Sequence, residues 1–157
     1  MMRGYWGLPE KTDREFTDDN FFRTGDVARR DEDGYISIVG RRSVDIIKSG
    51  GFKISAREIE TVLRKHPGLD DVAVVGVPDE EWGQRIAAAV VPNSDSNHTP
   101  QQWLDELSAR CEQQLADYKR PRQIFIYADG LPRNALGKVQ KHRIISSAEN
   151  DSQVENT

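Results

Sequence analysis

The residues of this chain that are best suited to chemistry stand in three short segments that combine glycine with charged side chains. In Thr24-Gly25-Asp26 a carboxylate follows a glycine, and Leu131–Lys138 ends in a lysine that also follows a glycine. Gly40–Gly51 has two arginines after its first glycine and ends in two glycines. An ionised carboxylate accepts hydrogen bonds from neighbouring hydroxyl groups, and a guanidinium binds ribose or phosphate oxygens. A turn aspartate, a surface arginine and a solvated lysine are the plainer interpretations of the same residues.

A fourth segment, Asp117–Arg122, is a basic loop in an acidic protein. Its guanidiniums, Arg120 and Arg122, suit a phosphate. Tyr118, or Trp82 from a separate segment, could stack on an adenine. A solvated loop that anchors the domain explains these residues equally well. The three histidines show no ligand spacing, so no metal site is predicted.

In their order along the chain, three segments resemble the last sequence blocks of the adenylate-forming superfamily, which includes acyl-CoA synthetases, adenylation domains and luciferases. They are Phe22-Arg23-Thr24-Gly25-Asp26, Gly40–Gly51 and Leu131–Lys138. The likeness runs from about Arg3 to Ile145, and the string Val-Asp-Ile-Ile-Lys-Ser-Gly-Gly looks most like the malonyl-CoA synthetase-type branch. The resemblance implies that the chain is the C-terminal portion of a larger enzyme.

The resemblance also implies a role for particular residues. Asp26 would contact the ribose of AMP, and Arg41 would bind its ribose or phosphate oxygens. Lys138 would be catalytic, since an ammonium opposes the repulsion between a carboxylate and the α-phosphate of ATP. Fixed electrostatic groups of this kind are often worth ~3–4 kcal/mol. Gly50 and Gly51 would line the pantetheine channel during thioester formation.

Two further assignments follow from the same likeness. In some CoA ligases of this family, the loop that matches Asp117–Arg122 and a tryptophan in a segment like that around Trp82 bind the CoA nucleotide. The residues just after the arginine of the second block form a hinge. Here the chain departs from the commoner pattern, because it has Ser43 where many relatives hold Asp or Lys and one extra residue before Asp45. The hinge is therefore expected at Ser43 or Val44.

Composition bounds the class of protein. The chain has 157 residues, 36% hydrophobic and 31% charged, with a net charge of −4, which fits a small core and a heavily solvated surface. The net charge argues against a nucleic-acid binder driven by bulk electrostatics. One cysteine rules out an intramolecular disulfide, and no apolar run approaches the roughly 20 residues that span a bilayer. The N-terminus lacks the apolar core of a signal peptide, so a cytoplasmic location is expected.

Periodicity and turn residues predict the elements that position these segments. The predicted strands are Tyr35–Val39, Val44–Lys48, Val72–Val77, Arg85–Val91 and Gln123–Tyr127. The predicted helices run from Ser55 to about His66, onward from Thr99, and over Lys138–Ser146. A capping box between Ser55 and Glu58 is expected at the start of the first helix. Residues 1–25 show no clear periodicity and are expected to be irregular.

These observations predict an α+β fold, a small lid domain with helices packed on a short sheet. Residues 1–42 would be the end of a large AMP-binding domain, 43–147 the lid, and 148–157 a disordered tail. The expected activity is that of an acyl-CoA synthetase, which uses ATP, CoA and Mg²⁺ and turns a carboxylic acid into an acyl-AMP and then a thioester. The Mg²⁺ ligands would lie in the preceding domain. The lid of a carrier-loading adenylation domain and an autonomous interaction module are the alternatives.

Overall fold

The computed structural model describes residues 2–154. Contacts between Cα atoms divide the chain into two compact units, Met1–Arg42 and Ser43–Thr157. The first unit holds helix α1 (Pro9–Glu15) and an antiparallel pair of strands, β1 (Asp26–Arg30) and β2 (Ile36–Arg41). The sequence did not predict α1 or β1. Proline near the N-terminus of α1 is preorganised for a helix, but a helix of only seven residues has too little periodicity to be detected.

The second unit begins with a tight hairpin made of β3 (Ile46–Ser49) and β4 (Phe52–Ser55). Gly50 and Gly51 form its two-residue turn, with φ of 55° and 82°. Positive φ at both turn positions is what a type I′ hairpin turn requires, and glycine adopts it without steric cost. The sequence did not predict β4, a strand of four residues that directly precedes α2.

A three-stranded sheet forms the centre of this unit. It contains β5 (Leu69–Asp79), β6 (Gly83–Pro92) and β7 (Gln123–Ile126), in that spatial order. Strands β5 and β6 are antiparallel, whereas β7 lies parallel to β6. Both faces of the sheet are covered by helices, which explains why β5 and β6 are continuous apolar runs and not alternating ones.

Three helices cover the sheet and divide the core into two parts. Helices α2 (Ala56–Leu63) and α3 (Pro100–Gln114) pack on one face, where Trp103 is fully buried. Helix α4 (Lys141–Val154) packs on the other face through Ile144 and Ala148. A 3-10 turn at Asp117–Lys119 connects α3 to β7. The architecture is the predicted small α+β fold.

The two predicted helix starts differ in the structure. Thr99 forms a complete capping box with Gln102, because its hydroxyl accepts from the Gln102 N–H and its own N–H donates to the Gln102 side chain. Ser55 makes no such side-chain cap on α2, so the capping box predicted with Glu58 is wrong. The Glu58 carboxylate instead accepts from Lys119 Nζ at 2.7 Å. A tertiary ion pair has replaced the local hydrogen bond.

Helix α4 also differs from its predicted bounds. It begins at Lys141, because residues 133–139 form a closed loop, and it continues to Val154, past the predicted start of the tail at 148. Ala148 is buried at one helical turn from Ile144, so this part of the predicted tail has a packing face. Residues 155–157 of the predicted tail lie outside the described residues. No helix within residues 2–154 has the length and apolarity needed to cross a membrane.

Candidate functional site

Lys138 stands at the end of a loop that its own neighbours hold closed. An isolated antiparallel bridge joins Arg133 to Val139, and the backbone N–H of Asn134 donates to the Lys138 carbonyl at 2.9 Å. The Asn134 side-chain oxygen accepts from the N–H groups of Leu136 and Lys138. One asparagine therefore binds the loop from both sides. Such side-chain bonds to nearby backbone favour turns over helix, which explains why α4 begins only after the loop.

One further contact attaches this loop to the rest of the unit, and two others hold it closed. Arg133 forms an ion pair with Asp71 of β5 and also donates to the Gly137 carbonyl. The Gln140 N–H donates to the Pro132 carbonyl at 2.7 Å. The backbone that carries Lys138 is thus fixed while its side chain stays exposed, an arrangement that suits a group that must reach a ligand.

Lys138 lines a pocket of about 430 Å³ with a mixed charge. The wall includes two acidic and three further basic side chains: Asp45, Glu60, Arg57, Arg64 and Lys141. Val44, one of the two hinge candidates, also lines it, whereas Ser43 does not. The pocket is open and basic enough to admit an anion beside the Lys138 ammonium.

A second group of predicted residues meets at the glycine turn of the β3–β4 hairpin. The Gly50 N–H donates to the Trp82 carbonyl at 3.0 Å. A Cβ atom on Gly50 would lie 2.9 Å from Trp82 Cε3, so only glycine fits against this indole. The Arg122 guanidinium lies 4.3 Å from the centre of the Trp82 ring. Gly50, Trp82 and Arg122, which are far apart in sequence, are therefore brought together by the fold.

The other members of the basic loop make different contacts. Tyr118 stacks on Phe52 of β4, with ring centroids 4.2 Å apart and planes 11° from parallel. Arg120 pairs with Glu112 and, at 3.4 Å, with Asp117, so its charge is largely neutralised within the protein. Phe52 was not singled out in the sequence, although its position directly after the two glycines was a usable signal.

In the first unit, the two residues that are predicted to bind the nucleotide contact each other. Asp26 and Arg41 are partners in the β1–β2 register, and Arg41 Nε lies 3.1 Å from Asp26 Oδ1. Both side chains are partly exposed to solvent. The fold places the carboxylate and the guanidinium side by side at one end of this hairpin.

The histidines, which showed no pattern in the sequence, are partly gathered by the fold. His66 and His98 contact the two oxygens of Glu106 at 2.8 and 3.2 Å, and both rings pack on Trp103. Among the side chains that the structure describes, residues 2–149, no group of three or more His, Cys, Asp and Glu could hold a metal ion. Cys111 is buried, and burial raises the pKa of its thiol to about 11.

Comparison with known proteins relates this geometry to a family. The model of the AMP-binding enzyme C-terminal domain matches residues 58–138. A probable CoA ligase, CCL8, of Humulus lupulus is 45% identical over 92% of this chain and 24% of its own length. The malonate–CoA ligase of Arabidopsis thaliana is 42% identical over 96% of this chain and 26% of its own length. The chain therefore spans about a quarter of the length of these curated relatives.

Solved structures agree with the sequence relatives. ATP-bound MatB from Rhodopseudomonas palustris is 39% identical with a TM-score of 0.80, over 92% of this chain and 28% of that one. The o-succinylbenzoate CoA synthetase of Bacillus subtilis, solved with an acyl-adenylate, is 32% identical with a TM-score of 0.79, over 92% and 28%. From the matched residues 58–138 and this shared fold, we conclude that the chain belongs to the AMP-binding enzyme C-terminal domain family.

Proposed function

We propose that this chain works as the C-terminal part of an acyl-CoA ligase, in which residues 43–147 form a mobile lid and residues 1–42 end the large AMP-binding domain. The enzyme would join a carboxylic acid to ATP, giving acyl-AMP and pyrophosphate, and then transfer the acyl group to CoA with loss of AMP. The observation that carries the proposal is the placement of the exposed Lys138 at a fixed loop beside an open pocket.

In the first step, Lys138 would act on the reacting atoms. Its ammonium would lie between the carboxylate oxygen and the α-phosphate and reduce the repulsion between two anions. Asp26 would accept hydrogen bonds from the ribose hydroxyls, and Arg41 would bind the adjacent ribose or phosphate oxygens. The contact between Asp26 and Arg41 supports this assignment, because one nucleotide could bind both groups. Mg²⁺ would be held by the preceding domain.

In the second step, the glycine turn would replace Lys138 at the reaction centre. Gly50 and Gly51 would border the channel for the thiol arm of CoA, with open space beside Gly51 and the Trp82 ring packed against Gly50. Trp82, Tyr118, Arg120 and Arg122 would bind the CoA nucleotide. Asp45 and the Gly50 turn stand at opposite ends of β3, separated by about 16 Å at ~3.3 Å per residue. Since Lys138 shares a pocket with Asp45, the two candidate sites lie at different ends of one hairpin. Rotation of the lid at Ser43 or Val44 would then bring either the Lys138 site or the glycine turn to the reaction centre.

The names of several relatives support a proposal for the acid. Malonate–CoA ligases of Arabidopsis thaliana and Bos taurus are 42% and 43% identical to this chain. We therefore assign malonate or methylmalonate as the acid. We further propose a cytoplasmic location, because a single cysteine fits a reducing compartment, and imaging of a tagged full-length protein would test it.

The test uses the full-length ligase, meaning this chain together with the large domain that we propose precedes it. Pyrophosphate exchange dependent on malonate or methylmalonate, followed by formation of the matching acyl-CoA, is the expected result. Absence of exchange with these and a panel of other carboxylic acids would contradict the ligase assignment. Transfer to a phosphopantetheinyl carrier protein in place of CoA would favour an adenylation domain.

A further inference from the structure

A buried ion cluster lines the same pocket as Lys138. Lys141, Asp45 and Glu60 have side chains that are 10%, 8% and 6% exposed. Lys141 Nζ lies 2.8 Å from Asp45 Oδ1 and 2.7 Å from Glu60 Oε1, so a single ammonium joins two carboxylates. No residue of this cluster has a role in the reaction proposed above.

The remaining oxygens of the two carboxylates are also bonded. Asp45 Oδ2 lies 3.3 Å from Arg57 Nε, and Glu60 Oε2 lies 3.0 Å from Arg64 Nη2. The Val74 N–H donates to Glu60 Oε1 at 2.9 Å. The cluster therefore satisfies its buried charges and connects the start of β3, helix α2 and strand β5 to the first residue of α4.

Burial of charged groups is seldom kept for stability alone, because desolvation offsets much of the attraction, and such clusters are best known for fixing the register of the elements they join. Here the joined elements are informative. Asp45 directly follows the hinge candidate Val44, and Lys141 is the first residue of α4, three positions after Lys138. The cluster thus connects the hinge segment to the loop that carries the candidate catalytic lysine.

We infer that Lys141 is a positioning residue that, through Asp45 and Glu60, fixes the Lys138 loop to the hinge segment for the acyl-adenylate-forming step. This inference rests on the proposed function. When the hinge segment turns, Asp45 and Glu60 carry Lys141 with them, and the Lys138 loop moves as one body with β3. The glycine turn lies at the far end of that hairpin, so loss of the Lys141 ammonium affects the adenylate-forming step and leaves thioester formation intact.

The decisive variant is Lys141→Met in the full-length ligase, which keeps most of the side chain and removes the charge. Misplacement of a reacting group by about 1 Å can cost about 100-fold in rate, and we expect pyrophosphate exchange to fall by about that factor. Transfer from preformed acyl-AMP to CoA is expected to change little. Lys141→Arg retains a cation between the carboxylates and is expected to restore most of the exchange.

A second measurement does not depend on activity. In this chain, the amide hydrogens of Leu136 and Lys138, which bond to Asn134, are expected to exchange faster with solvent in Lys141→Met than in the unmutated chain. The Gly50 amide at the other end of the hairpin is expected to keep its protection. If Lys141→Met does not fold, Lys141→Met with Glu60→Gln removes one of the uncompensated carboxylates and allows the same measurements.

The matched control is Arg110→Met, which removes bonds from α3 to the carbonyls of Val62 and Lys65 and therefore weakens α2 at a distance from the Lys138 loop. It is expected to lower stability without separating the two half-reactions. An unchanged rate of pyrophosphate exchange in Lys141→Met would overturn the positioning role, and so would an equal loss of both half-reactions. Failure of the unmutated ligase to perform exchange would instead overturn the proposed function on which it rests.

Discussion

Lys138 is the residue whose removal should separate the two half-reactions most completely. In the full-length ligase, we expect Lys138→Ala to slow pyrophosphate exchange by roughly 10²–10³-fold, the usual effect of losing one electrostatic stabiliser. Acyl transfer from preformed acyl-AMP should persist, because the ammonium is needed only where the two anions meet. Lys65→Ala, which removes another exposed lysine from the same unit, is the control. Equal loss of both half-reactions would refute this role.

Cys111 illustrates a residue that is chemically competent in isolation but protected by burial. Because burial raises the pKa of its thiol from 9.0 to about 11, the folded protein holds it protonated. The unfolded chain loses the proton first, so this contribution to stability is complete below pH 9.0 and is lost as the pH rises toward about 11. Urea unfolding at several pH values should show this loss, and Cys111→Ala should lack it. A thiol reagent that labels the folded chain quickly at pH 8 would contradict the assignment.

At the scale of elements, substitutions in the β3–β4 hairpin can distinguish the cost of backbone strain from the cost of a side chain that collides with its neighbours. Both glycines have positive φ, so an alanine at either position costs roughly 1–2 kcal/mol in strain. A side chain introduced at Gly50 would also collide with Trp82, whereas no atom lies within 4 Å of the position that a Cβ atom would take at Gly51. Gly50→Leu and Gly51→Leu should impair acyl transfer to CoA and largely spare pyrophosphate exchange, with the larger loss of stability at Gly50. A collapse of exchange would show that the turn is only structural.

The basic loop after α3 carries two arginines for which the sequence predicted the same role. Their contacts differ in the structure. Arg122 packs on Trp82 and is exposed, while Arg120 is already paired with Glu112 and Asp117. We expect Arg122→Ala to raise the KM for CoA by an amount worth roughly 1 kcal/mol or less, as for exposed charges, and Arg120→Ala to have the smaller effect. The KM values for ATP and acid should not change. Dephospho-CoA and pantetheine, assayed in parallel, would show which phosphate is bound. A larger effect at Arg120 would contradict this division.

At the scale of the whole molecule, the chain should be inactive alone. Its 157 residues span about a quarter of the length of the curated relatives. The charge stabilisation that we propose for Lys138 would have nothing to act on without bound ATP and acid. The isolated chain should therefore give no pyrophosphate exchange with any acid, and measurable exchange would show that the chain is sufficient.

The sequence by itself determined the family, the α+β fold and the order of the main elements of the second unit. These properties depend on local patterns: glycines beside charged residues, apolar runs of strand length, and helix-start residues such as those from Thr99 onward. A pattern confined to a few neighbours in sequence can be detected without knowledge of the fold. For the same reason the sequence could nominate Lys138, but not show what holds its loop.

Only the tertiary structure decided which side chains meet. Lys141 and Asp45, which form an ion pair, are 96 positions apart in sequence. Glu58 was predicted to cap its own helix, but it pairs with Lys119, 61 positions away. The contact between Trp82 and Arg122, and the two histidines on Glu106, likewise depend on how the helices pack against the sheet. A side chain can satisfy its charge with any suitable partner, and packing, which sums contacts over the whole core, selects which one is within reach.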